Sequence, residues 1–208
     1  MGKVGQSAVR LVTSMPMSAG VDEIQILCPF LRGLDPALGM WLGPLAWHDS
    51  NAALLAVLEQ ARPLPPQVTV FAGVFCADPF RAEDDVVAAL RAAGVSGMAN
   101  LPSVSFLDGE FGQTLAALNL GMARELNFLR HARSHGFRIA GCASALSDAQ
   151  SLCAFGAELI ITHAGPPHTA QADLGLNRDG QLAQQLSDCG AQLVSLSELI
   201  VQLGAAAG

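Results

Sequence analysis

Short apolar runs alternate with amphipathic stretches along most of this chain, and this alternation limits the folds that the chain can adopt. The amphipathic stretches "DSNAALLAVLEQAR" and "RAEDDVVAALRAAG" begin with polar residues, and the second ends at Gly94, as helices favour. Apolar runs of this length are typical of strands buried on both faces. The runs lie at residues 23–30, 67–76, 96–102, 137–143, 157–165 and 191–196. The alternation predicts a parallel sheet with helices outside it.

Such a sheet is either a closed barrel or an open doubly wound sheet, and periodicity alone does not choose between them. The phrases "AAGVSGMANLP" and "AFGAELIITHAG" favour the barrel, because a helix ends at Gly, a strand follows at once, and polar residues stand at its carboxyl end. No GxGxxG fingerprint follows a strand, so we expect no nucleotide cofactor. The sequence therefore predicts an α/β, TIM-barrel-like fold.

The composition indicates a core-rich globule. Of the 208 residues 51% are hydrophobic and 14% charged, and no uncharged apolar run reaches the roughly 18 residues that span a bilayer. The net charge is -7 and the basic residues are scattered singly, so we expect neither nucleic acid nor a membrane as a partner. No linker divides the chain, which predicts one domain over 1–208. Its segment 1–21 is either a helix broken near Pro16 or a strand entering the barrel, and 204–208 is a flexible tail.

The cysteines form an odd set without CxxC spacing, which favours free thiols in a reducing cytoplasm. Cys76 is the only one placed where a thiolate could act. The five are Cys28, Cys76, Cys142, Cys153 and Cys189.

Polar residues collect where the predicted strands end. The carboxyl ends of parallel strands form the ligand face in either architecture, so these residues are candidates for a functional site. They are Asp78 and Arg81 after the second run, Asn100, Ser103, Ser105 and Asp108 after the third, and His163 at the end of the fifth. His48 and Asp49 close the long loop after the first run.

Most of these candidates have a purely structural alternative. Asp78 precedes a proline and could form a turn or cap a helix, and Asp108 precedes a glycine and could do nothing more than turn the chain. Arg81 could pair with Glu83 or Asp84. A histidine placed like His163 is more often a hydrogen-bonded structural residue than a base.

Two other features have a clearer interpretation. Asn100 ends a buried strand, so its amide must find several partners. His131 and His135 are four residues apart on a predicted helix and could share a metal, but no third ligand is visible in the sequence, so we interpret them as a surface pair.

Four blocks of the chain give it a family resemblance. The blocks are "FAGVFCADPFR" (71–81), "GMANLPSVSFLDGEF" (97–111), "LGMARELNFLRHARSHG" (120–136) and "FGAELIITHAG" (155–165). With their order and spacing kept over about residues 22–167, the chain resembles the phosphoenolpyruvate hydrolase-like TIM-barrel family, a group named by similarity to enzymes that act on phosphoenolpyruvate or phosphonopyruvate.

The resemblance implies a hydrolase or lyase that acts on a small anionic acid. It places Asp78, Glu125 and His163 as catalytic residues and Arg81, Asn100, Ser103 and Asp108 as substrate-binding residues. It also implies a divalent cation such as Mg²⁺, for which Asp78, Asp108 and Glu125 are the candidate ligands.

The chain departs from the family as a shortened and divergent member. Ser103-Val104-Ser105 replaces a Thr-Val-Gly block, the first strand is reduced, and a late segment after "HAGPPH" is missing, so the barrel is expected to be incomplete, with fewer than eight units. The second hypothesis is a non-catalytic barrel that binds a ligand, a partner subunit or further copies of itself. An enzyme should bring Asp78, Arg81, Asn100 and His163 to one pocket, whereas a binding barrel could bury them in mutual pairs.

Overall fold

A computed structural model describes residues 7–16, 22–45, 48–61, 64–65, 67–163, 184, 186 and 189–206. Seven strands form one sheet in sequence order, and every neighbouring pair is parallel. This sheet forms a nearly closed barrel with helices between its strands, which confirms the expected incomplete α/β barrel. The strands are β1 (Ala8–Val12), β2 (Glu23–Leu27), β3 (Thr69–Gly73), β4 (Gly97–Ala99), β5 (Arg138–Ala143), β6 (Leu159–Thr162) and β7 (Gln192–Ser195).

The helices begin and end as their sequences favour. The α-helices whose bounds the structure describes are α1 (Pro36–Leu42), α2 (Ser50–Gln60), α3 (Glu83–Ala92), α4 (Gly109–Ala117), α5 (Met122–Ser134), α6 (Leu146–Ala154) and α7 (Leu196–Ala206). Asp35 and Asp49 cap α1 and α2 by accepting from the backbone N–H groups of Leu38 and Ala52. Two 3-10 turns span Pro29–Leu31 and Val104–Phe106. None of the described helices has both the length and the apolar character needed to cross a bilayer.

The buried side chains form two apolar layers, because successive residues of a strand point to opposite faces. Val70, Met98 and Ile139 pack outward against the helices, whereas Phe71 and Ile161 belong to the second layer, inside the barrel. This layering leaves the polar residues that follow the strands at one rim of the barrel.

Segment 1–21 contains a strand, so of the two alternatives for it the strand is the one observed. β1 pairs with β2 along all five of its residues. In the described residues β1 and β7 share no backbone ladder; the side-chain amide of Gln192 joins them instead. Its Nε2 donates to the Ser7 carbonyl at 2.8 Å, and its Oε1 accepts from the Ser7 N–H at 3.2 Å. α7 packs against β1 beside this join.

The prediction of five free thiols is wrong for two of them. Cys153, in α6, and Cys189, before β7, form a disulfide. This pairing was not predictable from the sequence, because an odd number of cysteines without short spacings does not favour any pair. Cys28, Cys76 and Cys142 are free and buried.

Two sequence predictions fall partly outside the described residues. The segment after "HAGPPH" begins in 164–183, which the structure does not describe. Of the predicted tail 204–208, α7 includes residues 204–206, and residues 207–208 lie outside the described part.

Candidate active site at the barrel mouth

Two hydrogen-bonded groups of polar residues occupy the carboxyl ends of the central strands. We call the first the Asp78 group; it consists of Asp49, Asn51, Asp78 and Arg81. The second, the Glu125 group, consists of Asn100, Ser103, Ser105, Glu125 and His163.

The Asp78 group forms around the loop that follows β3. Asp78 accepts from the N–H of Phe80 at 2.8 Å, which makes the turn expected before a proline, while Ala82 rather than Asp78 precedes α3. The other carboxylate oxygen of Asp78 accepts from Asn51 and Arg81, each at 2.9 Å. Asp78 therefore has no oxygen without a protein donor.

Arg81 bridges two carboxylates. Its guanidinium donates to Asp49 at 2.7 Å and to Asp78 at 2.9 Å. The alternative pairing with Glu83 or Asp84 is therefore not the one observed. These contacts, the one with Asp49 first, raise the pKa of Arg81. Partial burial works to raise the pKa of Asp49, but hydrogen bonds from Arg81 and the Ala52 N–H lower it overall. The charge of Arg81 is thus already balanced inside the protein.

The Glu125 group is almost completely buried. Asn100 and Glu125 are 0% exposed, and His163 is 4% exposed. Glu125 accepts from Asn100 Nδ2 and Ser103 Oγ at 2.7 Å and from the Val104 N–H at 2.8 Å. A buried carboxyl with three donors is well satisfied by hydrogen bonds.

Asn100 also extends the sheet beyond β4. Its Oδ1 accepts from the Cys142 N–H at 2.6 Å, and its Nδ2 donates to the Cys142 carbonyl at 3.1 Å. The amide therefore pairs with β5 as a peptide group would, while the same nitrogen also reaches Glu125. This confirms that Asn100 finds several partners.

Two serines connect Glu125 with His163. Ser103 Oγ lies 2.8 Å from Ser105 Oγ, which in turn lies 3.0 Å from Nε2 of His163. The imidazole ring packs edge-on against Phe106 and Trp41. Among the described residues, buried Nδ1 of His163 has no hydrogen-bond partner. A continuous chain of hydrogen bonds thus runs from Glu125 to the imidazole.

Burial shifts the two ionisable ends of this chain in opposite directions. It raises the pKa of Glu125 to about 7, against the lowering effect of its hydrogen bonds from Ser103, Asn100 and the Val104 N–H. Burial lowers the pKa of His163 to about 3. Both groups are therefore held towards their neutral forms, because a low-dielectric environment disfavours charge.

A cavity of about 480 Å³ opens beside the Asp78 group. Its polar lining consists of His48, Asp49, Ser50, Asp78 and Arg81. Most of the remaining lining is apolar and includes Val104 and Phe111. Val104 also donates its N–H to Glu125, so the Glu125 group lies directly behind this wall. Neither Asn100 nor His163 lines the cavity.

Consecutive residues of α5 hold the two groups beside each other. Arg124 donates to the carbonyl oxygen of Asp78 at 2.9 Å, and Glu125 enters the second group. The sequence analysis missed Arg124 and Asn51, and gave Asp49 no role. Asn51 was detectable only as a polar residue in the first turn of an otherwise apolar helix.

The four residues expected to share one pocket do not do so. Asp78 and Arg81 line the cavity, whereas Asn100 and His163 belong to the buried network behind it. Asp108 is exposed at the start of α4 and makes no side-chain cap there. Cys76 is buried in the core, and burial together with the charges of Glu125 and Glu83 raises the pKa of its thiol well above the ordinary value, so its position after β3 does not favour a thiolate.

The residues at the mouth do not fit the divalent cation that the resemblance implied. Protein donors occupy the carboxylate oxygens of Asp78 and Glu125, and Asp108 is not gathered with them. A cation needs such oxygens as ligands in place of these N–H and O–H groups. No metal is therefore assigned to the residues at the barrel mouth.

Comparison with known sequences agrees with this architecture. The profile of the family described as "Phosphoenolpyruvate hydrolase-like" matches residues 5–201. This chain belongs to the phosphoenolpyruvate hydrolase-like family. The match includes all seven described strands, both polar groups and the first half of α7, up to residue 201.

Relatives of this family member include bacterial and plant proteins. The chain is 33% identical over 156 residues to "Uncharacterized protein y4oT" of Sinorhizobium fredii, which covers 74% of this chain and 79% of that protein. It is 32% identical over 162 residues to the ToMV resistance protein Tm-1 and the ToMV susceptible protein tm-1 of Solanum lycopersicum. Those alignments cover 78% of this chain but 22% of each plant protein.

Proposed function

We propose that the chain is a hydrolase or lyase that acts on a small phosphoenolpyruvate- or phosphonopyruvate-like acid, with Glu125 as the final acceptor of the proton. One observation carries the proposal: the unbroken hydrogen-bond chain from Glu125 through Ser103 and Ser105 to His163. A buried chain of this kind can move a proton without leaving a charge on its intermediate members.

The direction of each hydrogen bond follows from the ionised state of Glu125. Ser103 donates to the carboxylate, Ser105 donates to Ser103, and His163 donates its Nε2–H to Ser105. Nδ1 of His163 then carries a lone pair. It is the basic end of the chain, and no described residue occupies it.

When a proton binds to Nδ1, the proton of each hydrogen bond in the chain would shift one position towards Glu125. The Nε2 proton passes to Ser105, the Ser105 proton to Ser103, and the Ser103 proton to Glu125. The imidazole ends neutral with its proton on Nδ1, and Glu125 ends protonated. The two pKa values support this, since His163 resists a positive charge and Glu125 accepts a proton near neutral pH.

His163 does not line the cavity and its Nδ1 is buried, so the wall at Val104 has to open before water in the cavity reaches this nitrogen. With phosphoenolpyruvate as substrate, the chain would then first remove a proton from this water. The water oxygen bonds to phosphorus as the ester P–O bond breaks, which releases inorganic phosphate and the enolate of pyruvate. The proton held by Glu125 returns through the same chain to the methylene carbon of the enolate. Water and phosphoenolpyruvate are thereby converted to pyruvate and phosphate, and Glu125 is ionised again.

The proposed substrate would bind through Arg81 in the cavity. Its anionic group has to replace Asp49, whose side chain is 53% exposed, on the guanidinium. Asp49 can leave Arg81 and still cap α2 through its other oxygen. In this proposal Asp78 orients Arg81, Asn100 and Ser103 hold Glu125, and Asp108 has no part.

The test is pyruvate release from phosphoenolpyruvate and from phosphonopyruvate, each measured with and without Mg²⁺. Ser105→Ala removes the hydroxyl that joins Ser103 to His163. We expect kcat to fall about 100-fold, the range of a lost acid–base step, with KM nearly unchanged because Ser105 is not a substrate contact in this proposal. Glu125→Gln should also lose turnover.

Ser151→Ala is the matched control, because it deletes a serine hydroxyl that bonds within α6, outside both polar groups. Circular dichroism of each variant separates a lost proton path from a lost fold. A Ser105→Ala variant that is folded and retains the wild-type kcat would rule out the relay.

The second candidate function is a non-catalytic barrel that binds a ligand or a second copy of itself. It is favoured by the internal pairing of Arg81 with Asp49 and Asp78, and by Phe80, which is 91% exposed beside them. Two relatives are named for ToMV resistance and susceptibility rather than for a reaction. Wild-type protein that converts neither acid but sediments as a dimer would support this candidate over the enzyme.

The proposal places the protein in the cytoplasm, where phosphorylated three-carbon acids would be available to it. The Cys153–Cys189 disulfide is unusual for a reducing compartment. Protein isolated under thiol-blocking conditions with this disulfide intact would contradict a cytoplasmic location, and protein with both thiols free would support it.

A further inference from the structure

A cluster of three metal-ligating side chains lies on the outside of the barrel, between α3 and α5. It consists of Asp84, His131 and His135, each of which offers one ligand atom within 4.8 Å of the other two. We propose that these residues form a binding site for Zn²⁺. The site is separate from both polar groups at the mouth and plays no part in the proposed reaction.

The spacing of the two histidines suits chelation. Residues four apart lie on the same face of a helix, one turn above the other, and the two imidazole centroids are 4.4 Å apart. The sequence pointed to this pair but offered no third ligand. The fold supplies it as Asp84, 47 residues earlier, whose Oδ1 lies 2.8 Å from Nε2 of His131.

One ring nitrogen of His135 is held by the backbone of α5. Its Nδ1 lies 3.0 Å from the carbonyl oxygen of His131, a contact that the N–H tautomer makes as a donor. Nε2 then keeps its lone pair for a cation. Histidines that bind metals usually donate their other ring nitrogen in this way, which fixes the tautomer and the ring plane.

The surroundings add negative potential. Glu83, Asp84 and Asp85 occupy the first turn of α3, and the histidines lie in the last turn of α5 and at its C-cap, where the helix dipole favours a cation. Arg91 is the nearby cation of α3, and its guanidinium is engaged by the carbonyl of His135 at 2.7 Å. That contact also fixes the end of α5 against α3.

Two imidazoles and one carboxylate match the donor preference of Zn²⁺, with water as a fourth ligand in a tetrahedral site. The side chain of Asp84 is 80% exposed, so the ion can reach the site from solvent and the carboxylate can move to widen the short contact with His131. The bound ion would tie α3 to α5.

Isothermal titration of the full chain with ZnCl₂, free of any affinity tag and chelating buffer, tests the proposal. We expect one Zn²⁺ per chain and a higher thermal midpoint in its presence. His135→Ala and Asp84→Asn should each weaken binding by at least about tenfold, because removing a ligand costs no less than removing a group that orients one. Both residues are exposed, so the variants should fold.

Asp85→Asn is the matched control, since it removes the neighbouring acid of the same helical turn and leaves the cluster intact. Asp108→Asn removes an exposed acid at the barrel mouth. Asp108→Asn should bind Zn²⁺ as the wild type does, and Asp85→Asn, which removes a nearby charge but no ligand, should weaken binding far less than Asp84→Asn. Absence of stoichiometric binding, or equal affinity in wild type and His135→Ala, would overturn the proposal.

Discussion

Glu125 and His163 carry opposite pKa shifts within one hydrogen-bonded group, and this gives the protein a distinctive pH dependence. Glu125 titrates near 4.5 in an unfolded chain and near 7 when folded, so the folded state holds the extra proton between these values. The free energy of unfolding therefore falls as pH rises through that window, by on the order of 3 kcal/mol. Its stabilising contribution is complete only below about pH 4.5.

His163 has the opposite sign. It titrates near 6.5 when unfolded and near 3 when folded, so the unfolded chain binds the extra proton and stability is lost as pH falls through this range. The two slopes oppose each other between about pH 4.5 and 6.5. They largely cancel there.

Replacing His163 by Phe should expose the contribution of Glu125. The aromatic ring can keep the contacts with Trp41 and Phe106 but does not titrate. In urea unfolding measured from pH 3 to 7.5, we expect the wild type to gain stability relative to the variant as pH rises from 3 to 6.5. A difference that stays constant with pH would contradict the shift assigned to His163.

At the residue scale, the sequence predicted which side chains belong to the polar groups better than it predicted their hydrogen-bond partners. Asn100 was recognisable because an amide at the end of a buried strand must be satisfied, and Glu125 because its helix resembles a family block. Asn51 was not recognisable, since its partners Phe75 and Asp78 lie 24 and 27 residues away and only the folded loop brings them together.

At the scale of elements, the apolar runs predicted β2 to β7, because these strands are mostly apolar, and all but the half-buried β7 are largely buried. β1 was left open between a strand and a helix broken near Pro16, and it contains one charged residue, Arg10. The structure explains the charge: Arg10 is half-exposed and forms an ion pair with Glu23 across the parallel pair β1–β2.

The disulfide, which the sequence did not reveal, joins α6 to the residues before β7. Cys153 and Cys189 are 36 residues apart, and closing a loop of this length in the unfolded chain stabilises the fold by about 3–4 kcal/mol in the chain-entropy account. Cys189→Ser, or reduction, should lower the thermal midpoint by roughly 10 °C. Differential scanning calorimetry with and without reductant measures this.

Cys153→Ser should lower the midpoint equally, and reductant should leave both variants unchanged. Thiol titration in denaturant provides a second measurement, with three reactive thiols expected from Cys28, Cys76 and Cys142. Five reactive thiols in freshly prepared protein would mean that the disulfide is not formed.

At the scale of the whole molecule, the side chain of Gln192 joins the first and last strands of the described sheet. Gln192→Ala removes both hydrogen bonds to Ser7, which leaves a partly buried backbone N–H and C=O without these partners. We expect a loss of about 1–3 kcal/mol in the free energy of unfolding, together with faster amide exchange in β1. Urea unfolding and hydrogen exchange measure the two effects.

Gln202→Ala is the control, because this exposed residue of α7 is the same type of side chain on the same side of the barrel. It should change stability only slightly. Equal losses in the two variants would show that Gln192 does not close the barrel. The sequence could not predict this contact, since it joins residues 185 positions apart.

Three side-chain amides make the same pair of hydrogen bonds. Each donates to the carbonyl and accepts from the N–H of a single distant residue, as seen for Asn51, Asn100 and Gln192. Hydrolysis of such an amide to an acid would keep the size of the side chain but turn an oxygen towards a carbonyl oxygen. Deamidation, a slow chemical change in stored protein, would thus weaken these links between distant segments of the chain while leaving the apolar contacts in place.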